Sequence, residues 1–132
     1  MQIPEHYTSD ILSFFDGKPL ELSLYQALTV QMTKALPDDI CIKVQKTQIS
    51  FYNRRLFASA SLPVRRKKDW PRDCLVVTIG LPRPLDSPRA AVTIEPYPGR
   101  WTNHLPLFHP ADLDTQLWGW VAEAQAFRNI KT

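Results

Sequence analysis

The run Gln45-Lys46-Thr47-Gln48-Ile49-Ser50-Phe51-Tyr52-Asn53-Arg54-Arg55-Leu56-Phe57-Ala58-Ser59-Ala60-Ser61 decides the fold. Apolar and polar residues alternate through Ile49 to Tyr52 and again from Leu56 to Ser61, the period of a half-buried strand. Asn53-Arg54-Arg55 between them reads as a tight turn, with Asn53 the residue best able to take a positive φ. Upstream, Ile42 and Val44 alternate with Cys41 and Lys43. Their phase slips against Ile49 and Phe51, so a bulge or short turn is expected near Lys46-Thr47.

Helical spacing replaces this alternation toward the N-terminus. Leu20, Leu24, Leu28, Met32 and Leu36 recur every four residues behind Pro19, which suits a first helical turn. A shorter helix through Ile11, Leu12, Phe14 and Phe15 precedes it, with Thr8 or Ser9 as the expected cap and Asp16-Gly17 as its end. Pro37-Asp38-Asp39 should close the long helix.

Beyond Ser61 the chain passes Pro63 and a polar connection, Val64 to Asp73. Leu75-Val76-Val77-Thr78-Ile79 follows, β-branched and almost wholly apolar, a candidate for the sheet centre. A proline-rich bend, Gly80 to Arg89, leads to a strand at Ala91 to Glu95. Pro96-Tyr97-Pro98-Gly99-Arg100 reads as a rigid turn. The segment Trp101 to Phe108 is expected at an edge, because Pro106 cannot donate to a ladder. His109-Pro110-Ala111-Asp112 should open a last helix with Leu113, Leu117, Trp120, Val121, Ala124 and Phe127 facing the core and Trp118 off that stripe.

The expected architecture is α+β: a mostly antiparallel sheet of four to five strands, with two N-terminal helices and a C-terminal helix packed on one face. At 132 residues, one domain with its core at about 8–128 is expected. The 44% hydrophobic and 22% charged residues are those of an ordinary globular chain. The N-terminus lacks the basic and apolar regions of a signal peptide, and no apolar run is long enough to span a membrane, so a cytoplasmic location is expected. Cys41 and Cys74 each lie in strand-like surroundings and read as buried thiols. No Cys/His spacing indicates a metal, and no glycine pattern indicates a phosphate-cradling loop, so no cofactor is expected.

Charge is distributed unevenly. The formal net charge is only +3, yet no Asp or Glu occurs between Asp39 and Asp69. That interval holds Lys43, Lys46, Arg54, Arg55, Arg65, Arg66, Lys67 and Lys68, half of the sixteen Lys and Arg residues. Such a run attracts anions, and Tyr52, Phe57 and Trp101 offer stacking faces beside it. The same run would also serve as a solvated strand face that discourages edge-to-edge association. Elsewhere, stiff prolines flank Arg100, which could fork onto a phosphate or carboxylate, and His104, which titrates near neutral pH. Ser87 with Asp86 and His104 is a nucleophile system without the strand–turn–helix signature such serines need.

Three blocks resemble a bacterial domain of unknown function, family 5655: Lys46 to Phe51 with Arg54, Arg55, Phe57 and Ala58; Gly80 to Arg83 with Leu85 to Arg89; and Glu95 to Thr102 with His104. The resemblance runs from about Thr8 to Phe127 and implies a compact α+β domain without an established reaction. Asn103 departs from the pattern, in which a second histidine stands beside His104, so a paired-His site is not expected. The matching positions Lys46, Arg54, Arg55, Arg100, Trp101 and His104 are the candidate ligand-binding residues.

The reading that follows is a non-enzymatic module binding an anionic ligand, nucleic acid or acidic protein through a basic, aromatic sheet face. Two alternatives stand beside it. One is a small enzyme using His104 and Arg100 in a cleft, which requires a carboxylate such as Asp86 or Glu95 within reach of the imidazole. The other is a structural or dimerisation module.

Overall fold

The computed structural model describes residues 1–36, 39–63, 70 and 73–128. The helix-closing turn expected at Pro37-Asp38 and the basic loop Arg65 to Lys68 lie outside these residues. Helices α1 (Tyr7–Phe14) and α2 (Pro19–Ala35) precede six strands: β1 (Cys41–Val44), β2 (Ile49–Tyr52), β3 (Leu56–Ser61), β4 (Leu75–Leu81), β5 (Val92–Tyr97) and β6 (Arg100–Leu107). Helix α3 (Thr115–Arg128) follows a 3-10 turn at Pro110–Asp112.

The sheet has six strands rather than four to five, all antiparallel, in the order β1-β2-β3-β4-β6-β5. The extra strand comes from the phase slip after Val44. It is a reversal, not a bulge: Gln45 and Gln48 flank a two-residue loop, closed by Gln45 N–H donating to Gln48 O at 2.9 Å. A bulge does occur one hairpin later, where the β2–β3 register shifts between Phe51 and Tyr52. Asn53 does not take a positive φ; His6 is the only non-glycine among the described residues that does. The Asn53 amide instead donates to Asp39 Oδ1 at 2.9 Å.

Four other expectations are corrected. Strand β6 is interior, between β4 and β5. It tolerates Pro106 because β5 pairs with it only across Arg100 to His104, leaving Pro106 past the end of that ladder. The edge on that side is β5, with Pro96 inside its own register irregularity. Helix α1 begins at Tyr7 behind His6, without a side-chain cap. The final helix starts at Thr115, after Asp112 has accepted the Phe108 and His109 N–H groups in the separate 3-10 turn.

Sheet pairing sorts the strand residues onto two faces. Phe51, Ala58, Ile79 and Asn103 form one cross-strand row, and Ile49, Ala60, Val77 and Leu105 the next. The apolar members share one core with Ile11 of α1, Leu24, Leu28 and Met32 of α2, and Leu117, Val121 and Ala124 of α3. Each fully buried Leu or Phe there contributes roughly 1.5–3 kcal/mol. Tyr25 stacks on Phe51 with ring centroids 6.4 Å apart, which ties α2 to the middle of this face. Trp118, off the apolar stripe, is half-buried and donates its indole N–H to Gln31 on α2. Among the described residues no helix is long and apolar enough to cross a membrane. Both cysteines are free; Cys74 is buried, and Cys41, half-exposed, is within sulfur hydrogen-bonding distance of Gln2.

Candidate functional site

The other face of the sheet carries a polar row. Ser50, Ser59, Thr78 and His104 stand directly opposite one another across β2, β3, β4 and β6. Adjacent strands lie about 4.8 Å apart, so the row presents hydroxyl and imidazole groups at a regular interval. Thr78 Oγ1 and His104 Nδ1 are 2.8 Å apart and share a hydrogen bond. Partial burial lowers the His104 pKa below its ordinary value, so the imidazole is uncharged at neutral pH.

Ser59, Thr78 and His104 of this row form part of the floor of a groove of about 560 Å³. Near one end, Thr47 and Gln48 come from the β1–β2 turn and Ser61 and Leu62 from the end of β3. Gln48 is held there by a bond of 2.8 Å to Ser50 Oγ, which in turn donates to Gln45 Oε1 at 2.6 Å. Near the other end stand Tyr97 at the end of β5, Arg100 and Trp101 at the start of β6, and Phe127 and Arg128 at the end of α3. No Asp or Glu is among the described lining residues.

Two local features place the cationic end. Pro98 and Gly99 form the two-residue loop of the β5–β6 hairpin. Proline pre-sets φ and Gly99 takes φ 75°, the requirement of a type II turn, which sets Arg100 directly at the strand start. Glu95 accepts the Gly99 N–H at 3.1 Å, so its carboxylate braces this turn. On α3, Arg128 continues the stripe of Leu117, Val121 and Ala124 at a four-residue interval. Its stem passes Gly80, where an added Cβ would lie 3.8 Å from Arg128 Cδ. Its Nε–H donates to Leu56 O at 3.2 Å. Burial first, then the positive charges of Arg100 and Arg55, lower the Arg128 pKa. The guanidinium groups of Arg100 and Arg55 thus each lie close enough to Arg128 for their charge to act on it. Among the described residues none of the three forms a salt bridge with a carboxylate.

Of the six residues nominated from sequence, Arg100, Trp101 and His104 line the groove. Arg55 contributes its charge at the same end, and Arg54 shares its turn. Lys46 does not join them. It sits in the β1–β2 turn, and the four residues of β2 put it roughly 13 Å from the Arg54-Arg55 turn. Tyr52, expected as a stacking face, lies under Lys43 Nζ at 4.8 Å from the ring centroid. Sequence reasoning missed Arg128, Phe127, Thr78 and Ser59. For Arg128 a signal existed: a cation in phase with an apolar helical stripe must reach past the core to something beyond it.

The remaining candidates have structural duties. Asn103 is fully buried and belongs to the helix-covered face, opposite in sense to His104. Its Oδ1 accepts the Leu85 N–H at 2.9 Å, and its Nδ2 donates to Arg83 O at 3.3 Å. It therefore holds the proline-rich bend against β6. Ser87 Oγ accepts the Arg89 N–H at 3.2 Å, a local turn bond. Among the described residues the hydrogen-bond partner of the His104 ring is Thr78, not the carboxylate an acid–base pair calls for. Among the described residues no cluster of His, Cys, Asp and Glu could hold a metal.

A family profile described as a domain of unknown function (DUF5655) matches residues 11–128 of the 132. No curated protein and no solved structure matches the chain.

Proposed function

From a chain that belongs to the domain-of-unknown-function family DUF5655, whose membership assigns no reaction, we propose a binding module that takes an anionic ligand in the groove on the second face of its sheet. The observation that carries this reading is that Arg100 and Arg128 line one end of a concave site, with the charge of Arg55 acting on Arg128 and no carboxylate lining the site among the described residues. Holding like charges together costs free energy in the empty protein, and an anion relieves it. Guanidinium forks suit phosphate or carboxylate oxygens, and two of them converging on one ligand set its orientation as well. Aromatic side chains beside them favour a ligand with a flat face. The volume falls in the range of small-molecule sites, roughly 300–1,000 Å³.

The test is an NMR titration of the full chain with pyrophosphate at about 20 mM and about 300 mM sodium chloride, a range over which exposed charges become screened. Backbone shifts should concentrate on Arg100, Trp101, Phe127 and Arg128, weaken with salt and vanish in the double variant Arg100→Gln/Arg128→Gln. Unchanged spectra at low salt would remove the reading.

A small enzyme is the second reading, favoured by the Thr78–His104 hydroxyl–imidazole pair in the same groove. It requires that His104→Ala abolish turnover of an activated phosphate ester while leaving the pyrophosphate shifts in place.

A further inference from the structure

The described lining differs in charge between the two ends of the groove, and that difference points to a ligand class. Arg100 and Arg128 stand at one end, whereas the described lining residues at the other, Thr47, Gln48, Ser61 and Leu62, are uncharged. Among the described lining residues, a polyanion along the whole groove would meet cations at the first end alone. A molecule with one anionic head and an uncharged body matches this described lining.

The body has its own requirements. Ser59, Thr78 and His104 cross the floor at strand spacing, three hydrogen-bonding groups over roughly 10 Å. A saturated acyl chain would cover them and leave their remaining hydrogen-bonding capacity unmet. A heterocycle with ring nitrogens and exocyclic oxygens or amines meets that capacity. The Thr78 hydroxyl and the neutral His104 imidazole each carry both donor and acceptor capacity, so the pair adapts to either pattern on the ring edge. Phe57, Tyr97 and Trp101 supply apolar, flat surface in the same cavity.

Resting on the anion-site reading above, we propose that the groove binds a planar nitrogen heterocycle bearing a phosphate, of mononucleotide size. Its phosphate lies between Arg100 and Arg128 and its ring lies over Thr78 and His104. Gly80 is part of this arrangement. It lies on the same face of β4 as Thr78, and the Arg128 stem passes over it toward the phosphate end, an added Cβ there lying in ordinary contact with Arg128 Cδ at 3.8 Å.

The experiment is isothermal titration of the full chain with the four nucleoside 5′-monophosphates, the matching nucleosides, inorganic phosphate, decanoate and a twelve-residue single-stranded oligonucleotide. At least one monophosphate should bind tenfold or more tightly than both its nucleoside and inorganic phosphate. Arg100→Gln, an exposed position whose loss leaves the core intact, should lower monophosphate affinity at least tenfold and leave nucleoside binding unchanged. Thr78→Val keeps the strand and should remove the preference for monophosphate over inorganic phosphate. Equal affinity for inorganic phosphate and every monophosphate would overturn the ligand class while leaving the anion site standing. Tighter binding of decanoate would overturn the class through the floor argument. Tighter binding of the oligonucleotide would overturn it in favour of a nucleic-acid strand. No binding of any anion would overturn both readings.

Discussion

Replacing Asn103 by alanine probes how the site is held, because this side chain joins the proline-rich bend to the strand that carries Arg100 and His104. The residue is fully buried, and the bond from Leu85 N–H to its Oδ1 is buried with it. Asn103→Ala leaves that N–H without an acceptor, a penalty of about 1–3 kcal/mol. The bonds from Nδ2 to Arg83 O at 3.3 Å and Trp101 O at 3.5 Å are longer and only part-buried, so water can replace them at small cost. The lost amide leaves a void on the order of 25 Å³, worth about 0.6 kcal/mol at 24 cal/mol per Å³. The expected destabilisation is therefore about 1.5–3.5 kcal/mol, read from urea unfolding by tryptophan fluorescence and circular dichroism together. Asn103→Asp keeps the acceptor for Leu85 but sets a carboxylate in a water-free site beside carbonyl oxygens. It should cost more than the alanine variant at neutral pH. Because that carboxyl's pKa is raised in the folded state, part of the loss should be recovered toward about pH 4. A change below 0.5 kcal/mol for Asn103→Ala would refute the argument that this residue staples the bend.

Two further perturbations follow from the same hydrogen-bond and burial pattern. His104 has a folded pKa below its unfolded value, so the unfolded chain binds more protons as pH falls past about 6.5; stability should decline there, and His104→Gln should flatten the decline in urea midpoints measured between pH 8 and 5. Arg89 bonds Asp114 at 2.8 Å and the Asp112 carbonyl at 2.6 Å and lies 5.6 Å from the Trp120 ring centroid. Arg89→Ala should cost about 2 kcal/mol, most of it persisting in high salt because the carbonyl bond is not an ion pair; complete loss of the effect in salt would show that the half-exposed pair with Asp114 carries it.

Periodicity made most elements legible. The alternation in Ile49 to Tyr52 and Leu56 to Ser61, the four-residue stripe from Leu20 to Leu36 and the β-branched run at Leu75 all became the elements expected of them. The strand count was less legible, because a bulge and a two-residue reversal at Lys46-Thr47 produce the same slip in phase. Pro106 misled for a related reason. Its missing N–H excludes a ladder position on one side only, and β5 stops short of it. Arg100, Trp101 and His104 could be nominated because prolines and strand alternation place them locally. Lys46 was grouped with Arg54 by sequence proximity, although one strand length separates their turns.

Composition and local pattern by themselves determined an α+β chain, its helices and strands, and an acid-free basic stretch, because backbone geometry turns sequence spacing directly into a face of a helix or strand. Only the tertiary structure decided which cations meet. Arg128 reaches Arg55 and Arg100 because α3 packs across the sheet and ends near Leu56 and Gly80. Electrostatic energy depends on distance through space, and spacing along the chain does not encode that distance once seventy-two residues intervene between Arg55 and Arg128.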